Sequence, residues 1–383
     1  MATQAGNTQS NSNLRPTVWQ RELYQDVMDN LYFVKNGMMG KESNNIVQIK
    51  DDLMEKQGNT IKYGLTTRLV GNGVDGDAEL EGNEEKISSY SDSVSIDKKR
   101  FAVRLDGRLD EQQAAYDLRT DAKEKLSIRM QEFIERQVFL KLGSVTNTGI
   151  TDTNGVVVGA AAAWSNTAPI VSQVDEVAGT GSRYLSAAYD PVSATGNNGT
   201  MQAANTLSTS LIQRLKVKAV LANPNIVPIK IKGKNYYVLF IHPLQAWDLK
   251  QDSNFKQSLR EAQVRGEENP LFTGAIGVWD GVVIHEHEYV PYLNATTLAG
   301  TASFAGTAGD LQATVNIARA ILVGSQAIAF AKCKYDNGWV EKSFDYNDKQ
   351  GFSTGLLGGI QKVTFNSKAY GAICLDTYVS PAS

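Results

Sequence analysis

Residues 110–142 read DEQQAAYDLRTDAKEKLSIRMQEFIERQVFLKL, with no glycine and no proline. Within them Leu118, Ala122, Leu126, Met130 and Phe133 recur at three- and four-residue steps, which places them on one stripe of a helix. Asp110 stands where an N-cap belongs, Gln113 three residues later is placed to reach back, and Gly143 stands where a helix ends. Charges of both signs cover the rest, with Glu132 four residues before Arg136. At helical rise, about 32 residues make a rod of roughly 48 Å. That is longer than a compact core needs, and a single apolar stripe does not suit a membrane span. The stretch reads as a spar lying across a broad, thin molecule.

The remaining chain must supply what the spar lies on. With 383 residues and 42% apolar side chains, it can bury a sizeable core. A net charge of −3 argues against a general nucleic-acid binder, which carries a basic stripe. Cys333 and Cys374 are the two cysteines, read as buried thiols of a protein made in a reducing cytosol. The polar start MATQAGNTQSNSNLRPT has no apolar core, so no secretory signal is expected there. No run approaches the roughly 20 apolar residues of a transmembrane helix. A soluble protein inside the cell that makes it is expected.

Before the spar, Trp19, Leu23, Val27 and Leu31 repeat at four-residue steps as a short amphipathic helix closed near Gly37, and Ile46–Leu53 alternates weakly as a strand. From Gly58 two alternating runs, IKYGLTTRLV and SVSIDKKRFAVRLDG (Ser93 to Gly107), flank a long glycine-rich connection. Residues 58–107 therefore read as a long two-stranded arm with an elaborated tip. Its tip is acidic (Asp75, Asp77, Glu79, Glu81, Glu84, Glu85), and its return strand and root are basic (Lys98, Lys99, Arg100, Arg104, Arg108). An isolated hairpin is marginal in water, and head-to-tail contacts between copies pair unlike surfaces. The two blocks are candidates to meet across a subunit boundary, against the plainer reading of a solvated acidic loop.

Beyond the spar, residues 144–203 are rich in Gly, Ala, Ser and Thr and read as loose. A helix is expected from Thr206 to Leu221, then a hairpin of IVPIKI and YYVLFI around KGKN. One helix follows over HPLQAWDLKQDSNFKQSLREAQV, then a strand GVVIHEHEYV and a low-complexity loop over 295–309. The end reads as RAILVGSQAIAFAKC, WVEKSFDYND, a Gly-rich link, and two last strands, QKVTFN and AICLDTYV. Helices interleaved with strand hairpins give an α+β class with mostly antiparallel pairing.

Several short motifs match enzymes and fail on context. Gly71, Gly73 and Gly76 satisfy G-x-G-x-x-G, but the acidic DAELEGNEE that follows would repel a phosphate. Asp75, Asp77 and Glu79 open like a calcium loop, but Leu80 holds the turn position and Lys86 the twelfth. Gly351, Ser353 and Gly355 satisfy G-x-S-x-G, yet His242, His285 and His287 all precede it, against the order a nucleophile elbow needs. His285 and His287 share one face of a strand and form a possible metal pair, with surface or hydrogen-bonded histidines the plainer reading. No nucleophile–base pair, Cys/His cluster or phosphate loop emerges, so neither enzyme nor cofactor is expected.

Longer words carry more. The run GDAELEGNEEKISSYSDSVSIDKKRFAVRLDGRLDEQQAAYDLRTDAKEKL resembles tailed-phage major capsid proteins of the family typified by the phage N-four coat protein. Asp77, Leu80, Glu81, Gly82, Asn83, Glu84, Glu85, Ile96, Asp97 and Arg100 carry the match. A second block, YYVLFIHPLQAWDLKQD with NPLFTGAIGVWDGVVIHEHE, is similar to the same family through His242, Pro243, Asn269, Pro270, Gly274, Gly277 and Gly281. RAILVGSQAIAFA with FDY and KVTFN completes it, so the likeness runs from Trp19 to Leu375 without residues 144–203 and 295–310.

The resemblance implies the Hong Kong 97-type phage capsid fold. Its parts are an N-terminal arm (1–57), an E-loop hairpin (58–107), a spine helix in the peripheral domain (108–143), an insertion (144–203), and an axial domain with the rest of the peripheral domain (204–383). It implies a major capsid protein that self-assembles as hexamers and pentamers into the icosahedral head around a tailed phage's double-stranded DNA. Expected partners are copies of itself, a portal protein and, where used, scaffolding or decoration proteins, with weak non-specific DNA contact and no membrane. The expected location is the virion, after assembly in the bacterial cytoplasm. With only a short polar start ahead of Trp19, scaffolding is expected from elsewhere or not at all, and no cross-linking Lys–Asn pair is recognisable. The alternatives are an encapsulin-like compartment shell, a hydrolase using Ser353, or a metalloenzyme using His285 and His287.

Overall fold

The computed structural model describes residues 27–53, 58–66, 69, 73–76, 81, 84–87, 89–105, 107, 118–143, 150–151, 157–158, 183–188, 201–261, 275–293, 316–333, 339–346, 348–365 and 368–380. The spar is present as a helix over Leu118–Leu142, about 37 Å long at helical rise. Residues 110–117, with the expected Asp110 cap, lie outside the described residues. Of the expected stripe, Ala122, Leu126, Met130 and Phe133 are buried.

The helix spans two sheets. Near its start Ala122 and Leu126 pack with Trp339 and Phe352 of a six-stranded sheet. Toward its end Val138 and Phe139 share a core with Val238, Phe240 and Ile321 of an eight-stranded sheet. The sheets also join at its C-terminus, where carbonyls lack intrahelical donors and the dipole is negative. Lys362 Nζ donates to the Leu142 carbonyl at 3.1 Å, and Arg319 Nη1 donates to that of Gly143 at 2.9 Å. One cation comes from each sheet.

The eight-stranded sheet runs Ala275–Trp279, Val282–Glu286, Lys234–Ile241, Ile317–Val323, Ala372–Tyr378, Tyr184–Ser186. Tyr292–Leu293 and Ile229–Ile231 pair at its margins. Helices Thr209–Leu221, Pro243–Gln251 and Ser253–Glu261 contribute Leu211, Leu215, Leu249 and Phe255 against Leu239, Ile284, Leu322 and Ile373 on one face. The spar and the N-terminal segment, through Leu31 and Phe33, cover the other. The expected hairpin around KGKN is present, turning on Lys232 and Gly233, both at positive φ. Arg319 and Asp376 form a doubly hydrogen-bonded pair, 2.7 Å in each arm, in this core.

Two expectations here need correction. The stretch from His242 to Val264 is not one helix, because Asp252 interrupts it. Its carboxylate accepts from the Thr209 backbone N–H and hydroxyl, both at 2.8 Å, and from the Asn254 N–H at 3.0 Å. It thereby caps two helix starts, which a mid-helix position could not do. The region 144–203 is not loose throughout: Tyr184–Ser186 is a buried strand parallel to Ala372–Tyr378. RAILVGSQAIAFAKC splits into Ile317–Val323 and Ile328–Cys333, one strand in each sheet. The crossing occurs at Gly324, where an added Cβ would stand 2.2 Å from the Val227 carbonyl oxygen.

The six-stranded sheet runs Met39–Gly40, Val47–Leu53, Ile328–Cys333, Lys349–Lys362, Val340–Phe344, with Asp97–Arg104 also paired to Lys349–Lys362. The N-terminal helix turn ends at Gly37 as expected. Gly37 has φ 64°, and Met38 N–H donates to Phe33 O while Gly37 N–H donates to Val34 O, the paired bonds of a Schellman stop. The expected Gly-rich link is instead a continuous strand, Lys349–Lys362. Its glycines serve close packing: at Gly359 a Cβ would stand 2.2 Å from the Ser95 carbonyl oxygen, where the arm crosses.

The arm also differs from its expected form. Thr60–Thr66 and Ser89–Ser95 form the two-stranded hairpin over seven paired positions. The run from Ser93 to Gly107 breaks at Ile96, and Asp97–Arg104 joins the six-stranded sheet. Ile61 and Val94 at the root pack with Ala329, Ala331, Val363 and Phe365, which gives the hairpin a core that two strands alone lack. Among the described residues no helix is long and apolar enough to cross a membrane.

Candidate inter-subunit surface

The residues singled out as possible chemistry are engaged in packing. His285 Nδ1 lies 2.8 Å from the Tyr32 hydroxyl, and His287 Nδ1 accepts from the Tyr289 N–H at 3.2 Å. His287 Nε2 points at Glu135, 3.8 Å away, and its ring lies against Phe139. Burial, with His285 beside it, lowers the His287 pKa to about 4, and burial also raises that of Glu135. His242 caps its helix by accepting from the Leu244 N–H and stacks on Tyr292. Among the described residues no group of three or more His, Cys, Asp or Glu is arranged to hold a metal. Ser353 lies mid-strand, its hydroxyl directed to the Val340 carbonyl at 3.4 Å, with no strand-to-helix elbow. Cys333 and Cys374 are buried free thiols.

The charged blocks lie on and around the arm. Midway along the hairpin it is pinned by Asp92, whose Oδ2 accepts from Tyr63 Oη at 3.0 Å and from Thr364 N at 2.9 Å. Burial first, then the Asp92 charge, raises the Tyr63 pKa, so this phenol stays a donor. Three further paired positions, about 10 Å of strand, lie between Asp92 and the last pair, Thr66 with Ser89, beyond which the tip begins. There Asp75, Glu81, Glu84 and Glu85 are exposed. Leu69, Ile87 and Tyr90 are also exposed, at 61%, 70% and 38%. Asp77, Glu79 and Arg108 lie outside the described residues.

The basic block divides by strand parity. Antiparallel partners share a face, so Arg104, Gly351 and Lys342 form one row across three strands, and Ala102, Ser353 and Val340 the next. Lys98, Arg100 and Arg104 thus share the outer face, all exposed, while Phe101, Val103 and Phe352 face the spar. Lys99 goes with the inner set, its ammonium 5.6 Å from the centre of the Phe133 ring.

On the outer face Phe344 lies over Gly351, where a Cβ would come within 2.8 Å of its ring edge. Arg104 and Lys342 each sit 5.0 Å from the centre of that ring. Reading the sequence missed Lys342 and Phe344. The alternation of VEKSF carries the signal, but its partner strand was taken for a link.

These features agree with what the chain is similar to. The family model described as "Phage capsid protein" matches residues 7–380. The major capsid protein of Pseudomonas phage KPP25 is 30% identical over 364 residues, covering 93% of this chain and 91% of that protein. Among solved structures, the capsid of Ralstonia phage GP4 aligns with a TM-score of 0.72 at 23% identity, covering 92% of each chain. The capsid of cyanophage Pam1 aligns at 0.67 and 21% identity, covering 90% of this chain and 91% of that one. At such identities these two speak for the fold, which is the Hong Kong 97-type. By its family match along nearly its whole length, this chain belongs to the phage capsid proteins and is a major capsid protein, a structural component of the virion and not an enzyme.

Proposed function

We propose that copies of this chain close as hexamers and pentamers into an icosahedral head around the double-stranded DNA of a tailed phage, with the arm as the link between neighbours. The arm carries the reading. Its root is built into the chain's own sheet, while Leu69, Ile87 and Tyr90 lie exposed with the acidic groups farther out. Exposed apolar side chains rimmed by charge suit a surface that another protein covers. The acidic block Asp75, Asp77, Glu79, Glu81, Glu84 and Glu85 of one subunit then meets the cations Lys98, Arg100, Arg104 and Arg108 of the next. Lys99, turned toward the spar, supports its own subunit instead.

In this reading residues 1–57 are the N-terminal arm, 58–107 the E-loop, and 108–143 the spine. Residues 144–203 are an insertion, and 204–383 hold the axial domain and the rest of the peripheral domain. The eight-stranded sheet suits the axial role and the six-stranded one the peripheral role. A portal protein and scaffolding or decoration proteins are the further partners, and contact with packaged DNA is weak and non-specific. Assembly takes place in the host cytoplasm. The test is Glu84→Lys with Glu85→Lys, followed by negative-stain electron microscopy. A folded subunit that no longer forms shells is expected; normal shells would remove the arm from the assembly contact.

A further inference from the structure

We infer that Tyr32 is a proton-sensitive latch: it fastens the N-terminal segment, residues 27–35, to the spar and the eight-stranded sheet, and protonation of His287 releases that segment ahead of the sheets. The inference does not rest on how copies assemble.

Three elements meet at this one residue. The Tyr32 backbone N–H donates to Glu135 Oε1 on the spar at 2.6 Å, and the Tyr32 hydroxyl lies 2.8 Å from His285 Nδ1 on the strand Val282–Glu286. The Tyr32 ring sits 4.6 Å from that of His287, just past the strand's end. Burial first, then the Glu135 charge, raises the Tyr32 pKa, so the phenol keeps its proton and donates to His285. Apolar contact adds to the hold through Val27, Leu31 and Phe33, the last against Phe139 and Phe240. The segment's own helical turn, Tyr32–Lys35, has four residues and is too short to persist alone in water. Its chain first joins a sheet at Met39, opposite Val47. A unit fastened in this way opens separately from the core strands beneath it.

The bonds around His287 show why a proton matters. Its Nδ1 accepts from the Tyr289 N–H at 3.2 Å, so the neutral ring carries its hydrogen on Nε2, which faces Glu135 Oε2 at 3.8 Å. A second proton must go to Nδ1, where it meets the Tyr289 N–H and sets two donors against each other. The charged and titratable groups about the ring come from every element packed there. They are Tyr32 and Lys35 on the segment, Glu132, Glu135 and Arg136 on the spar, His285 on the strand, and Glu288 and Tyr289 on the turn. Glu135 opposes release. Its carboxylate attracts an imidazolium, and because burial raises its own pKa, the closed latch takes up that proton before an open one does. Burial of His287, with His285 beside it, outweighs this and holds the closed-state pKa at about 4. Open, the ring titrates near 6.5. Between these values only the open state binds the proton, so opening grows as pH falls through 6.5 and levels off below 4. From His287 alone, opening near pH 5 exceeds that near pH 7.5 roughly 30-fold.

The test is hydrogen exchange of the unassembled full-length chain near pH 7.5 and near pH 5, corrected for the intrinsic pH dependence of amide exchange. After the Glu135 offset, protection over residues 32–38 is expected to fall about tenfold in acid, while Ile317–Val323 changes less than about twofold. Equal protection of residues 32–38 at both pH values overturns the latch. Loosening of Ile317–Val323 to the same degree is global unfolding and overturns separate release. His287→Gln is expected to abolish the pH difference, and a folded variant that keeps it overturns the role of His287. Where His287→Gln does not fold, Glu135→Gln decides. Its amide oxygen still accepts from the Tyr32 N–H, but the opposing carboxylate is gone, so the loss of protection in acid is expected to exceed that of the unaltered chain. A smaller loss overturns the proposal.

Discussion

The two sheets of this molecule share one spar and trade consecutive strands across Gly324, yet they are finished differently. The eight-stranded sheet has helices on one face and the spar with the N-terminal segment on the other, and its central strand Ile317–Val323 is buried at every position. The six-stranded sheet has the spar beneath it, and among the described residues the chain's own arm, with Phe365 and Tyr370, packs on its other side. Val340–Phe344 is exposed along most of its length. One region completes its core within the chain. The other leaves an edge strand largely exposed in the single chain.

Removing an interaction from the finished region should therefore unfold the subunit. Asp376→Ala leaves Arg319, 1% exposed, without the carboxylate that holds its guanidinium at two points. Breaking a buried pair from one side costs about 3–5 kcal/mol, read as a fall in the urea midpoint of the unassembled subunit. A loss near zero would mean that this sheet is not the stable half, and the contrast would fail.

Acid probes the same half more gently. His287 and His242 each have folded pKa values lowered to about 4 by burial, with His285 a second cause at His287. Unfolded, each has a pKa near 6.5. Between those values the unfolded chain binds more protons, so stability is whole above about pH 6.5 and declines as pH falls toward 4. Each site contributes up to about 3 kcal/mol to that decline. Glu135, raised by burial, takes up its proton earlier in the folded state and offsets part of the loss. Melting of the unassembled subunit across this range, with and without His287→Gln, sharpens the comparison. A slope unchanged by the substitution would remove His287 from the acid response.

The smallest expected effect lies where the arm meets the unfinished sheet. Gly359→Ala places a methyl against the Ser95 carbonyl, and such overpacking costs about 1–3 kcal/mol. Because the strain falls at the arm's root, the arm should lift. Hydrogen exchange is then expected to rise over Thr60–Thr66 and Ser89–Ser95 with little change over Ile317–Val323. Equal loosening of both sheets would show that they do not respond as separate regions.

Much of this was open to reading along the chain. The spar, the stop at Gly37, the hairpin on Lys232 and Gly233, and the arm's division into acidic and basic blocks are local patterns, set by side-chain period and turn chemistry. The misreadings share one cause. Lys349–Lys362 looked like a link because Gly351, Gly355, Gly358 and Gly359 have low strand propensity. That propensity is outweighed where a second backbone, the arm at Ser95, must come within contact of the strand. Asp252 looked like one more polar residue of a helix because its two cap partners include Thr209, 43 residues away. Tyr184–Ser186 is too short to show a period and is a strand because Ala372–Tyr378 pairs with it.

Period, capping and composition are properties of neighbouring residues, so the sequence by itself determined the α+β class, the long helix, the arm and its charge division. Its family words point to a capsid subunit. Only the tertiary structure decided that Lys99 turns inward while Arg104 turns outward, and that Lys342 joins Arg104 across Phe344. It also decided which face of the six-stranded sheet the arm packs on. Those outcomes depend on strand register and on which backbones pass within a few ångströms of each other. Both are set by pairing between segments hundreds of residues apart, which no local pattern encodes.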